Sequence, residues 1–247
     1  MIFSYYALNS TMIVKWLGHS CFLLKGDGEE GLAILMDPFN EEAVGYPLPH
    51  LEANIVTISH DHDDHNNVPA AGDYADVLIG EAQFISFGMD VFGIKSYHDS
   101  EKGRKRGENT IFFFELDGVR VCHLGDLGHK LSKSQIKEIG RVDLLFVPVG
   151  GGYTIDAAGA DKVIDALHPA IAVPMHFQTA ALNFPLAPLD DFLKGKQYTG
   201  PLEELDIRGE DLPAALALDE KTGAATRSTE IVLLSCPAAE GRGRSID

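Results

Sequence analysis

The stretch Asn54-Ile55-Val56-Thr57-Ile58-Ser59-His60-Asp61-His62-Asp63-Asp64-His65 decides how the rest of the chain is read. Its first half is apolar and β-branched enough to predict a buried strand. Three imidazoles and three carboxylates then follow within six positions. Such a run has no hydrophobic period and would be costly to bury unpaired. Along an extended backbone residues i and i+2 point the same way, so His60 and His62 can grip one cation together. Asp64 and His65, beyond a turn, can face a second cation close by. Imidazole mixed with carboxylate suits zinc, with iron and manganese the other candidates.

On either side of that stretch the first half of the chain reads as strands parted by turns. Met12–Leu17, Cys21–Lys25 and Leu32–Met36 form a meander, and Asp76–Ile79 and Val91–Tyr97 are further strands. Asn109–Leu116 and Val119–Leu124 flank the pair Asp117-Gly118, a strong hairpin signal. The second half alternates a helix over Ser132–Ile139, a strand over Val142–Val149, a helix over Asp156–Leu167 and a strand over Ala170–Met175. Ala160, Val163, Ile164 and Leu167 share one face of the longer helix. Residues 178–228, rich in Pro, Gly and acidic residues, are expected to carry one helix, Pro188–Lys194, and otherwise to drape over the domain. Glu230–Ser235 is a last strand, and residues 236–247 read as a flexible Gly/Arg tail. Residues 1–11 read as an N-terminal extension before Met12, without the basic start and apolar core of a signal peptide. Residues 1–247 are thus expected to form one domain of sheets covered by helices.

Composition narrows the function. Hydrophobic residues at 45% and charged residues at 23% fit a globular chain and not a disordered one. Lys and Arg total 20 against 37 Asp and Glu, a net charge of −17 that argues against a general nucleic-acid binder. No apolar run approaches the roughly 18 residues of a membrane span. Three cysteines (Cys21, Cys122, Cys236) make no complete disulfide framework, so a reducing, cytoplasmic location is expected.

The His60–His65 segment has the H-x-H-x-D-H form, and with it the chain resembles the metallo-β-lactamase superfamily. Trp16-Leu17-Gly18-His19-Ser20 resembles the opening strand and turn of the branch that includes ascorbate-6-phosphate lactonase. His123-Leu124-Gly125-Asp126 and Pro174-Met175-His176 are similar to that branch's H-x-G-D and P-x-H segments, in the same order. The resemblance implies an α/β fold, the αββα sandwich of the metallo-β-lactamase type. It implies two divalent metal ions, zinc foremost, with manganese or iron as substitutes. His60, His62 and His98 would hold one and Asp64, His65 and His176 the other, with Asp126 shared. It further implies hydrolysis by a hydroxide shared between the metals, with Asp64 also receiving the proton. His19 and His123 lie in family-like motifs without being family ligands, and are expected to support the ligands or face the substrate. His129, three residues past Asp126, is within reach of the open side of such a site.

Two further features bear on the substrate. Lys102-Gly103-Arg104-Lys105-Arg106 is the one dense basic run in an acidic chain and begins four residues after His98. Arg104 and Arg106 are therefore expected to hold a small anionic ester, lactone or phosphate. Gly150-Gly151-Gly152 matches no nucleotide-binding pattern and reads as a tight turn into the helix, with Thr154 or Asp156 as its N-cap. His168 reads as a helix C-terminal residue and His50 as a solvated one. The expected partner is a small-molecule substrate, with no membrane and no nucleic acid; homo-oligomerisation is left open. Two alternatives stand beside this reading: a phosphodiesterase or nuclease resembling ribonuclease Z, and a non-catalytic metal-binding regulatory protein.

Overall fold

The computed structural model describes residues 10–27, 31–212 and 228–241. Strands β1 (Thr11–Gly18), β2 (Cys21–Lys25) and β3 (Ala33–Met36) form the expected antiparallel meander. The short helix α1 (Glu41–Val44) leads to β4 (Ile55–Ile58) and β5 (Asp76–Ile79), which add to β3 in parallel. Strands β6 (Ala82–Ser86), β7 (Met89–Tyr97), β8 (Glu108–Leu116) and β9 (Val119–His123) run antiparallel in a second sheet. Helix α2 (Lys133–Ile139) precedes β10 (Leu144–Pro148), and α3 (Ala157–Leu167) precedes β11 (Ile171–Met175). Helix α4 (Leu189–Leu193), β12 (Thr199–Leu202), β13 (Leu205–Arg208) and β14 (Glu230–Leu234) complete the described elements.

The sheets have the orders β13-β1-β2-β3-β4-β5 and β12-β14-β11-β10-β9-β8-β7-β6. Between them lies a core in which Phe22 of the first stacks on Phe146 of the second at 4.0 Å. Strands β3, β4, β10 and β11 are buried at every position, which fits their parallel pairing and the covering of both their faces. Helix α3 turns Ala160, Val163, Ile164 and Leu167 inward, as its periodicity predicts. Local chemistry sets the element ends. Ser132 and Gln135 form a capping box on α2, Asp156 accepts the Gly159 N–H at the start of α3, and Asp117 and Gly118 both take positive φ in the β8–β9 turn. The fold is the α/β sandwich expected from the sequence. Among the described residues no helix is long and apolar enough to cross a membrane.

Two expectations need correction. Residues 199–208 do not drape over the domain: β12 is an edge strand of the second sheet and β13 an edge strand of the first. Both are four residues long and largely exposed; β12 contains Pro201, and β13 alternates Leu205 and Ile207 with Asp206 and Arg208 over only those four positions. Of the tail expected to be flexible, residues 236–241 are packed. Cys236 and Ala239 are buried, and the Ala239 carbonyl accepts the Ala181 N–H. Residues 242–247, and most of the N-terminal extension (1–9), lie outside the described residues.

Candidate metal centre

Strand direction assembles the site. By the pairings, β1, β3, β4, β7, β9 and β11 all run the same way across their sheets. Each is followed at that edge by a residue of one cluster: His19, Asp37, His60–His65, His98, Asp126 and His176. His19, Asp37 and His176 adopt left-handed backbone (φ 51°, 44° and 51°), an uncommon conformation for non-glycine residues and one found at functional sites. Gly125 takes φ 53° and passes so close to Ser59 and Asn109 that a Cβ would collide with both. The chain can thereby turn Asp126 into the site directly after β9.

Within the histidine segment, alternate residues face opposite ways. Asp61 points out and accepts from Asn66 Nδ2 at 2.8 Å. His60, His62 and His98 bring one nitrogen each to a common point, the donor atoms lying within 4.8 Å of one another. His60, His65 and Asp126 make a second such set, and His19, Asp64, His65 and His176 a third. Asp126 joins them: its Oδ2 is 3.0 Å from His98 Nε2 and 3.1 Å from His176 Nε2, and its Oδ1 is 3.3 Å from His65 Nε2. All seven residues expected to bind metal therefore lie together.

The far nitrogens of three rings are tied to protein. His98 Nδ1 donates to the Tyr153 carbonyl at 3.0 Å, which assigns the glycine-rich turn a structural duty at the site. His60 Nδ1 meets Ser59 Oγ at 2.9 Å, and His65 Nδ1 meets Asp37 Oδ2 at 2.9 Å. Asp37 also accepts from Ser59 N at 2.8 Å and Ser59 Oγ at 2.6 Å. Such ties fix which nitrogen faces inward. Asp37 was not singled out from the sequence; its signal was a carboxylate ending the apolar run Leu32–Met36 just before Pro38.

Charge is concentrated and shielded. Burial pushes the Asp126 carboxyl up, but His176 and His65 overcome it and hold the group well below the usual carboxylate range. Asp64 is held down in the same way by His65 and His19. Burial, with His65 beside it, pulls His60 down to about 3, whereas the Asp126 and Asp64 carboxylates raise His65 against its burial. His60 Nε2, His65 Nε2 and Asp126 Oδ1 are buried without a hydrogen-bond partner. An unmet buried polar atom costs about 1–3 kcal/mol, and three that converge on one point fit a divalent transition metal.

A cavity of about 430 Å³ opens above this cluster. His62, Asp64, His98, Asp126 and His176 form its floor, and Lys105, Arg106, Tyr153, Phe184 and Ala43 are in its wall. The guanidinium of Arg106 lies over the Tyr153 ring, 5.1 Å from its centre. Other expected contacts are absent. Arg104 is exposed, pairs with Glu101 at 3.4 Å and is not among the residues that line the cavity. His129 faces away too: its Nε2 accepts the Tyr97 N–H and its Nδ1 donates to the Lys130 carbonyl. His123 spends both nitrogens on backbone, donating to the Ser20 carbonyl and accepting the Gly125 N–H. His19 lies closer than expected, with Nε2 3.2 Å from Asp64 Oδ2.

A two-sheet α/β sandwich with a histidine-carboxylate cluster at one edge defines the metallo-β-lactamase class. The family model described as a beta-lactamase superfamily domain matches residues 13–176, and the chain belongs to that superfamily. It is 29% identical to an Archaeoglobus fulgidus protein named a UPF0173 metal-dependent hydrolase, over 76% of this chain and 92% of that one. A Methanobrevibacter smithii protein of the same name is 32% identical over 68% of this chain and 82% of its own. Among solved structures, a Thermotoga maritima protein described as a candidate zinc-dependent hydrolase of the superfamily superposes with a TM-score of 0.67. Its identity is 36%, over 90% of this chain and 98% of that one. The chain thus falls within a family of metal-dependent hydrolases.

Proposed function

We propose that the protein is a binuclear metal-dependent hydrolase, zinc being the first candidate metal, acting on a small anionic ester, lactone or phosphate. The observation that carries this reading is Asp126, whose carboxylate touches ligands of both donor sets: Oδ2 is 3.0 Å from His98 Nε2 and 3.1 Å from His176 Nε2, and Oδ1 is 3.3 Å from His65 Nε2. His60, His62 and His98 would hold the first cation, Asp64, His65 and His176 the second, and Asp126 both. Two such cations, when bound, supply Lewis-acid polarisation of the substrate oxygen and a water that ionises near neutral pH.

The chain's own residues do the rest. Asp64 stays ionised, so a carboxylate oxygen is available at the cavity floor to take the proton released as water attacks. Lys105, which also pairs with Glu101, and Arg106 are the only Lys or Arg side chains among the cavity residues. They would orient an anionic group beside the metals, while Tyr153 and Phe184 exclude water from its apolar part. Three free, buried cysteines support a reducing compartment, the cytoplasm.

Elemental analysis combined with kinetics on a paired anionic and neutral ester tests the proposal. Two metal equivalents per chain are expected, reduced at both sites in Asp126→Ala. Lys105→Ala/Arg106→Ala should raise KM for the anionic ester about tenfold or more, the equivalent of 1.4 kcal/mol, and leave the neutral ester nearly unchanged. Full occupancy in Asp126→Ala would overturn the shared-ligand assignment. Equal responses to the two esters would remove the basic residues from recognition.

A further inference from the structure

His19 lies outside the H-x-H-x-D-H, H-x-G-D and P-x-H segments and outside the seven residues expected to bind metal. It follows β1, after an irregularity in the β1–β2 ladder between Trp16 and Gly18. Its backbone is left-handed, and its carbonyl accepts from both Trp16 Nε1 (3.0 Å) and His176 N (3.2 Å). An imidazole is thus fixed in a conformation its residue type seldom adopts, tied to the same chain position as His176. Its ring is 4.4 Å from that of His176 and 5.2 Å from that of His65, centre to centre. The side chain is fully buried, and Nδ1 has no hydrogen-bond partner.

Donor spacing is the second observation. Around one cation with metal-donor bonds of about 2.0–2.1 Å, neighbouring donors stand about 3–3.5 Å apart. His19 Nε2 is 3.2 Å from Asp64 Oδ2, which is 3.7 Å from His65 Nε2, which is in turn 3.3 Å from Asp126 Oδ1. His19, Asp64, His65 and His176 each contribute an atom to a set spanning no more than 4.8 Å. A histidine retained only to hydrogen-bond Asp64 would not need a place among the inward atoms of two other imidazoles.

We propose that His19 is a metal ligand of the second site, alongside Asp64, His65 and His176. This inference rests on the binuclear reading above and adds a donor to it. Its consequence is asymmetry. The second cation would have five protein donors counting Asp126, and the first would have four. The richer set favours tighter retention of the second cation than of the first.

The test separates ligation from hydrogen bonding by the choice of substitution. His19→Gln keeps a side-chain N–H to donate to Asp64 but is a poor donor to a transition metal, whereas His19→Ala removes both. Cobalt(II) titration of the wild-type protein and both variants, followed by visible spectroscopy and equilibrium dialysis, gives the metal count, affinities and ligand field together. Both variants should fill the His60, His62 and His98 site with the wild-type affinity and the Asp64, His65 and His176 site at least tenfold more weakly, the spectrum telling which site each cobalt occupies. Both should lose the same part of the d–d spectrum. Normal first-site binding shows that the variants are folded. A His19→Gln variant with wild-type second-site affinity and spectrum would overturn the inference and leave the binuclear reading standing. A wild-type protein that takes up fewer than two cobalt ions would overturn both.

Discussion

Asp37 is an ionised carboxylate with no exposed surface, and three protein groups depend on it. Burial would raise its pKa, yet His123, His65 and Ser59 together hold it below the ordinary carboxylate value. Asp37→Ala leaves the buried Ser59 N and His65 Nδ1 without their partner, while Ser59 Oγ keeps His60 Nδ1. At about 1–3 kcal/mol for each unmet group, stability should fall by about 2 kcal/mol or more. Losing the group that orients His65 should also weaken second-site metal binding roughly 10–100-fold. Urea denaturation and metal dialysis of Asp37→Ala would register both effects. A variant with undiminished affinity would show that His65 keeps its orientation unaided. Asp37 and the histidines also differ in how readily the sequence reveals them. His60, His62, Asp64 and His65 are adjacent in the chain, so their chemistry shows in one short stretch. The duty of Asp37 exists only because β3 and β4 pair in parallel and end together. Nor does a loop have a period from which to tell that Arg106 turns inward and Arg104 outward.

At the scale of one element, the loop that carries Lys105 and Arg106 is organised by the buried Asp99. Oδ1 accepts the Glu101 and Gly103 N–H groups, and Oδ2 accepts those of Lys105 and Arg106. Burial opposes the charge, but these four bonds pull the carboxyl down from 3.8 to about 2. Because the folded value is the lower one, the loop gains support above the ordinary value and loses it as pH falls from about 4 towards 2. The amide resonances of Lys105 and Arg106 should shift over that window and stay constant from pH 5 upward. At neutral pH, Asp99→Ala should loosen the loop and raise KM for an anionic substrate several-fold with little change in kcat. A fall in kcat alone would relocate the effect to His98 next door. Strands and helices with a full period, such as Cys21–Lys25 and Asp156–Leu167, were legible in the sequence because burial imposes their pattern. The edge strands β12 and β13 were not: Gly200 and Pro201 interrupt the first, and the Leu205-Asp206-Ile207-Arg208 alternation of the second is only four residues long.

For the whole molecule, the decisive fact is that neither sheet contains a complete site. His19 and the His60–His65 segment project from the first sheet, while His98, Asp126 and His176 project from the second. The motif order along the chain was enough to name these residues, but not to show that the two layers meet through them. A cation held there would brace the layers against each other, and unfolding would have to release it. A ligand bound only by the folded state at 100 times its dissociation constant adds about 2.7 kcal/mol of stability. For a chain of 247 residues each kcal/mol moves the melting temperature by about 2–4 °C. Chelation should therefore lower Tm by roughly 5–10 °C for each site emptied. Re-addition of zinc should restore it. His62→Ala, which spares the second site, should show a smaller chelator response than the unsubstituted protein. Its baseline Tm should already be reduced. Calorimetry before and after chelation, with metal content measured on the same samples, decides the matter. If protein stripped of all metal melts where loaded protein does, the sandwich holds its two sheets together without help from the site.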